Sequence, residues 1–284
     1  ARILFFAFLT KDSVHSLDDI ISVIDKNENK RISINLELRK QDLKIIKQAL
    51  YDMYLKQLDD KIWNLNTLSN DKTLLPVERS SNALAKFDVM SPSEHVTPDN
   101  ICIDMYKLMD RSKLLEILKN GGKFLDVASK SGEFTLGLIK YLENDIGDID
   151  YFNSFYSIPT SGHAYEFTRK IYDNLGLNIN NISMFKSEQL LGIKENKEID
   201  YSKIVNYITN FKNFKNKEIS TNSLGGAHMK FNVVVGNPPY QLEGGSGGNN
   251  DAPIFQHFVE LSDKLNPDYS SFIIPSRWFA AGRE

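Results

Sequence analysis

The chain has a single cysteine, Cys102, and five histidines among its 284 residues. One thiol excludes an internal disulfide and any cysteine-built zinc cluster, and the scattered imidazoles offer no ligand spacing for a metal. A strong excess of charge is also missing. Basic residues number 34 and acidic ones 37, for a net charge of −3, so any affinity for nucleic acid has to come from local patches. No long hydrophobic run is present either. Residues 3–9 (ILFFAFL) are too short to span a bilayer, and only one arginine and no small-residue cleavage pattern accompany them, so they read as buried core. An apolar content of 41% is enough for one substantial core and a small second one. A reducing cytoplasm fits this composition.

Residues 1–85 read as an amino-terminal appendage rich in helix. Leu55, Leu58, Ile62 and Leu65 follow helical spacing, extending an earlier stripe of Leu43, Ile46, Leu50 and Met53. Asp25, Asn27, Asn29 and Ile32 match part of a calcium loop, but Lys30 takes the glycine position and Leu36 that of the bidentate glutamate. A solvated turn between helices is the expectation there, and Ser80-Ser81-Asn82 reads as the boundary to a second domain spanning residues 86–284.

The richest stretch of that domain is residues 231–241, FNVVVGNPPYQ. Phe231 and Val233 to Val235 predict a buried strand that ends abruptly at Gly236. At its carboxyl end Asn237 offers an amide acceptor, Pro238 a carbonyl with no N–H, Pro239 a stiff turn and Tyr240 a flat ring. That set suits a flat heterocycle carrying an NH2 group. NPPY after a hydrophobic strand resembles the catalytic motif of amino-methyltransferases that use S-adenosylmethionine, above all DNA adenine-N6 methyltransferases. Glutamine methyltransferases that modify release factors carry it too.

Three further segments add to the resemblance. Residues 124–134, FLDVASKSGEF, resemble the cofactor-binding strand, small-residue loop and helix of the same families, which implies roles for Asp126, Ala128, Ser131, Gly132 and Phe134. Small residues let the backbone approach the methionine end of the cofactor, and a helix amino terminus favours its carboxylate. Lys130 stands where many members have glycine, and one branch of restriction-system methyltransferases has Lys-Ser-Gly there. His95-Val96-Thr97-Pro98-Asp99 precedes a helical pattern with Ile101, Met105, Leu108 and Met109 on one face. By itself this is an N-cap followed by proline at the first helical position. By resemblance to DNA methyltransferases, Thr97 and Pro98 contribute to the cofactor's methionine end. Residues 271–279, SFIIPSRWF, read as a strand and are similar to the Ile-Pro-x-Arg-Trp of restriction-modification adenine methyltransferases.

One feature departs from the family. Its second strand usually ends in an acid that holds the ribose hydroxyls. Here Pro159 occupies that place. Either a group such as Glu166 substitutes, or cofactor binding is weakened, or Pro159 starts the next segment and the correspondence shifts by a few residues.

A strand is expected near Phe155, a helix around residues 166–174 and a third strand near 182–185. Residues 194–226 read as a polar insertion with an amphipathic helix carrying Ile204, Val205, Tyr207, Ile208, Phe211 and Phe214, either docked on the surface or touching DNA. Residues 244–250, GGSGGNN, are a linker or a loop that orders over substrate. A helix over 253–265 leads to the last strand.

The alternation predicts a doubly wound, mainly parallel α/β fold, Rossmann-like as in class I methyltransferases, with ligands at the carboxyl ends of the strands. The family implies strand order 3-2-1-4-5. It also implies a closing hairpin and a target-recognition region for which little chain follows Trp278, so the sequence reads as a fragment of a longer restriction-modification polypeptide of type IIG or type III-like kind. The implied activity is methyl transfer from S-adenosylmethionine to the 6-amino group of a flipped adenine in double-stranded DNA, with a restriction nuclease domain or subunit as associate. Glutamine-protein methylation, a non-catalytic specificity or scaffold role, and RNA adenine methylation are the alternatives.

Overall fold

A computed structural model describes residues 1–87, 89–91, 94–192, 199–210, 228–240 and 253–276. The chain divides into two compact units, Ala1–Asp88 and Val89–Glu284.

The first unit is helical: α1 (Arg2–Leu9), α2 (Leu17–Val23), α3 (Asn27–Asn35), α4 (Lys40–Ala49), α5 (Asp52–Asn70) and α6 (Pro76–Leu84). Burial of Phe5, Phe6, Phe8 and Leu9 makes α1 its apolar centre. Asn66 of α5 ties down the end of α1. Its Nδ2 donates to the Ala7 carbonyl at 2.9 Å, and its Oδ1 accepts from the Val14 N–H. The expected stripe breaks at Leu50 and Tyr51, between α4 and α5, and Met53 is 60% exposed. Where a solvated turn was expected, α3 forms because Asn29 is drawn inward. It accepts from the Thr10 hydroxyl at 2.7 Å and donates to Asp12 at 2.6 Å. Ser80, Ser81 and Asn82 lie inside α6, with Ser80 buried, so they mark no boundary.

The second unit opens with a short antiparallel pair, β1 (Val89–Ser91) and β2 (Glu94–His95), followed by α7 (Asp99–Lys107) and α8 (Arg111–Lys119). Then come β3 (Phe124–Ser129), α9 (Glu133–Leu142), β4 (Phe155–Pro159), α10 (Gly162–Asn174), α11 (Ser187–Leu191), α12 (Tyr201–Thr209), β5 (Val233–Gly236), α13 (Phe255–Leu265) and β6 (Tyr269–Phe272). The last four strands form an all-parallel sheet in the order β4-β3-β5-β6. Ile182 adds a single parallel bridge to Ser157, outside β4. The expected third strand is thus reduced to one residue, pinned by the Ser183 N–H on the Ser157 carbonyl at 2.9 Å. With that bridge counted, the order is the anticipated 3-2-1-4-5.

β3, β4 and β5 are buried along their whole length, which goes with their largely apolar sequences, whereas β6 is only partly covered. Leu125, Val127, Tyr156, Ile158 and Val234 pack with Leu190, Ile204, Tyr207, Ile208, Phe258 and Leu261 from α11, α12 and α13. Each such side chain contributes about 1.5–3 kcal/mol relative to exposure. Alternation turns Asp126 and Ser157 to the opposite face. There the Tyr172 hydroxyl of α10 bonds Ser157 at 2.8 Å and Thr135 of α9 at 3.2 Å. α12 therefore docks on the sheet, while Phe211 and Phe214 lie outside the described residues. The last strand stops at Phe272. Ile273 continues beyond it with its N–H on the Gly236 carbonyl at 3.0 Å, and residues 277–279 and 244–250 also lie outside the described residues.

Candidate active site

In a sheet of this order the winding switches between β3 and β5, the place where open parallel α/β sheets form a crevice beyond the carboxyl ends of the strands. Two loops meet there. One runs from Lys130 to Gly132 after β3, the other from Asn237 to Tyr240 after β5.

The β3 loop is tightly made. Gly132 has φ +77°, a left-handed conformation that glycine adopts without penalty, and it serves as the N-cap of α9. Its N–H donates to Ser129 Oγ at 3.0 Å, and Ser129 in turn bonds the Thr168 hydroxyl at 3.0 Å. Ala128, Ser131 and Phe134 are fully buried. Glu133, which the motif comparison passed over, is fully buried as well. Its Oε2 accepts from the Ser131 N–H at 2.7 Å, the Ser131 hydroxyl at 3.1 Å and the Lys130 N–H at 3.3 Å. The backbone donors expected to favour the cofactor's carboxylate are thus held by the chain's own acid. A carboxylate in the first turn of a helix after a small-residue loop is the sequence signal that could have found it.

Asp126 ends up 2% exposed, with Oδ1 accepting from the Ala128 N–H at 3.1 Å. Burial, reinforced by the Glu133 charge, holds its carboxyl well above the usual carboxylate range, against the Ala128 N–H, Ser129 and Lys130. Asp126 Oδ2 and Glu133 Oε1 are buried acceptors without a hydrogen-bond partner. Two buried, unpartnered carboxyl oxygens of residues close enough to influence each other's charge suit a cationic group.

In the β5 loop, Pro238 is buried, Asn237 and Pro239 are half-buried and Tyr240 is 41% exposed, leaving its ring accessible. Gly236 precedes them because space is short: a Cβ there would come to 3.0 Å from Val127 Cγ2 and 3.4 Å from the Phe272 ring. Asn237 is held twice. Its Nδ2 donates to Thr97 Oγ1 at 3.1 Å, and its main-chain carbonyl accepts from Lys130 Nζ at 3.1 Å.

Thr97 is buried at 3% exposure, whereas Pro98 is exposed. The N-cap of α7 is Pro98, so Thr97 lies one residue before the cap and its hydroxyl serves Asn237 instead. The buried face of α7 is Cys102, Met105 and Tyr106, with Met109 beyond the helix end. Ile101 and Leu108 are 40% and 84% exposed, contrary to the expected stripe.

Pro159 ends β4 and is buried, opposite Ser129 of β3. The next residues offer hydroxyls rather than an acid, and Ser161 Oγ caps α10 through the Ala164 N–H at 3.1 Å. Glu166 lies in α10 at 2% exposure. Among the described residues no group of acidic, histidine or cysteine side chains is placed to hold a metal, and no helix is long and apolar enough to cross a membrane.

The family model for the Eco57I restriction-modification methylase matches residues 102–284, more than half of the chain and all of this crevice except Thr97 and Pro98. The chain belongs to the Eco57I restriction-modification methylase family. A stretch of 52 residues is 54% identical to an uncharacterized adenine-specific methylase of Mycoplasma pneumoniae, covering 18% of this methylase-family chain and only 12% of that relative. Among solved structures, a cryo-electron-microscopy DrdV–DNA complex overlaps 98% of this chain and 30% of its own, at 15% identity and a TM-score of 0.46. A Listeria monocytogenes protein described as a class I S-adenosylmethionine-dependent methyltransferase overlaps 99% of this chain and 76% of its own, at 14% identity and the same TM-score.

Proposed function

We propose that this chain carries the catalytic centre of an adenine-specific DNA methyltransferase that uses S-adenosylmethionine within a restriction-modification system. The observation that carries the reading is the position of Asn237 and Pro238 at the carboxyl end of β5, tied by Lys130 to the β3 loop that is flanked by the unpartnered buried oxygens of Asp126 and Glu133. When bound, S-adenosylmethionine supplies an electrophilic methyl group on a sulfonium centre. Asp126 and Glu133 would hold its methionine ammonium, and Ala128, Ser131, Gly132 and Phe134 would line the site around them. Adenine's amino nitrogen is a weak nucleophile because its lone pair is delocalised into the ring. Acceptance of its hydrogens by Asn237 Oδ1 and the Pro238 carbonyl favours the pyramidal, nucleophilic form, a stabilisation realised mainly in the transition state. The base has to leave the helical stack to get there, and Tyr240 offers the ring that receives it, with Pro239 setting the ring's position.

The DNA partner, an associated nuclease and a cytoplasmic setting belong to the same reading. The test is to incubate the intact protein with S-adenosylmethionine and duplex DNA and to analyse the digested nucleosides by mass spectrometry. N6-methyladenine is the expected product. Methylation confined to protein glutamine, or to RNA, refutes the DNA assignment.

A further inference from the structure

We propose that Thr97 and Lys130 are positioning residues for methyl transfer, clamping Asn237 at its side-chain amide and its main-chain carbonyl so that Oδ1 is the atom presented to the target amino group. This rests on the adenine-methylation reading and gives Thr97 a role different from the cofactor contact implied by resemblance.

An asparagine side chain has two nearly isosteric ends, and only the oxygen accepts. A free amide at the crevice mouth rotates, and half of its orientations point N–H groups at the hydrogens of an incoming amine. With Thr97 Oγ1 as the acceptor of Nδ2 at 3.1 Å, Oδ1 is the end left for the target amine. Thr97 is itself 3% exposed and lies one residue ahead of the Pro98 cap of α7, which holds its hydroxyl against the amide.

The second hold sets the other acceptor. Lys130 is 6% exposed, and its Nζ reaches across from the β3 loop to the Asn237 carbonyl at 3.1 Å. That carbonyl belongs to the planar peptide unit entering Pro238, whose ring fixes φ. Holding the plane therefore limits where the Pro238 carbonyl points. A glycine at position 130 has no side chain to make this link. The two contacts come from elements before β3 and after β3, so both tie the catalytic loop to the cofactor side of the crevice.

The clamp separates kcat from cofactor affinity. With the intact protein, steady-state methylation is measured for wild type, Thr97→Val, Thr97→Ser, Lys130→Met and Lys130→Arg. A misplacement on the order of 1 Å can cost about 100-fold, so Thr97→Val and Lys130→Met are expected to lose kcat on that scale. The KM for S-adenosylmethionine should stay level in Thr97→Val and stay level or fall in Lys130→Met, which removes a positive charge near two acids. Thr97→Ser keeps the hydroxyl but loses packing, and should retain most of kcat; Lys130→Arg should recover part of it. Unchanged kcat in both Thr97→Val and Lys130→Met overturns the clamp. So does a raised KM for cofactor at preserved kcat, which makes Thr97 a cofactor ligand, or a Thr97→Ser as slow as Thr97→Val, which makes its role one of packing. Wild-type protein that methylates no DNA adenine overturns the underlying reading, and the clamp with it.

Discussion

Ser129 and Pro159 face each other in the parallel register of β3 and β4, and the Thr160 N–H closes on the Ser129 carbonyl at 3.0 Å. By the resemblance drawn from the sequence, this is where family members present an acid to the cofactor's ribose, and in this chain it holds a buried proline and a backbone hydrogen bond. Residues 1–284 are expected to bind S-adenosylmethionine weakly or not at all in calorimetric titration. Tight binding would contradict this, and its loss in Glu166→Gln would then identify the substitute acid.

Asn237→Ala should lower methyl transfer by at least about 100-fold, the scale for loss of one preorganised polar group at a reacting centre. Cofactor affinity should change little, because Asn237 acts on the amino group. Single-turnover rates within a few-fold of wild type would remove Asn237 from catalysis.

Tyr240→Ala should weaken productive binding of the extruded base by roughly 1–3 kcal/mol, the range for base–aromatic stacking. Tyr240→Phe keeps the ring and should be mild. A fluorescent base analogue at the target position reports on this directly, and identical responses in wild type and Tyr240→Ala would rule out stacking on this ring.

Asp126→Asn should stabilise the fold while weakening cofactor binding. A carboxyl whose pKa is raised on folding holds its proton more tightly in the folded state, so its contribution to stability falls as pH rises past the unfolded value of about 4. The asparagine variant escapes that loss. Its melting temperature should exceed the wild-type value near neutral pH, with the gap closing towards pH 4 by calorimetry. A gap that widens on acidification would reverse the sign and exclude the assignment.

The sheet was legible in the sequence because doubly buried strands leave short apolar runs, and Gly236 and Gly132 punctuate them where β5 and α9 require it. What was not legible lay in contacts between distant segments. Thr97 and Asn237 are 140 residues apart, and nothing local to either predicts that one hydroxyl serves the other amide. The pattern at α7 misled for a related reason. Periodicity gives a helix but not its rotation, and packing chose Cys102 and Tyr106 over Ile101 and Leu108. Glu133 was passed over because its neighbours carry the motif, although its first-turn position gave the clue. At α3, inward hydrogen bonds of Asn29 outweighed a composition typical of turns.

The connectivity of the sheet also has a kinetic side. β3 finds β4 across a short excursion, with Thr160 and Ser129 only 31 residues apart, but it meets β5 across a separation of 109, as between Lys123 and Asn232. Closing the longer loop costs roughly 1 kcal/mol more in chain entropy by logarithmic scaling. Non-local parallel pairing of this kind is slow. The half of the crevice made by Asp126, Gly132 and Glu133 is thus expected to assemble early. The Asn237 loop joins with the later pairing of β5 against β3, and hydrogen exchange should find β5 opening before β3 and β4 do.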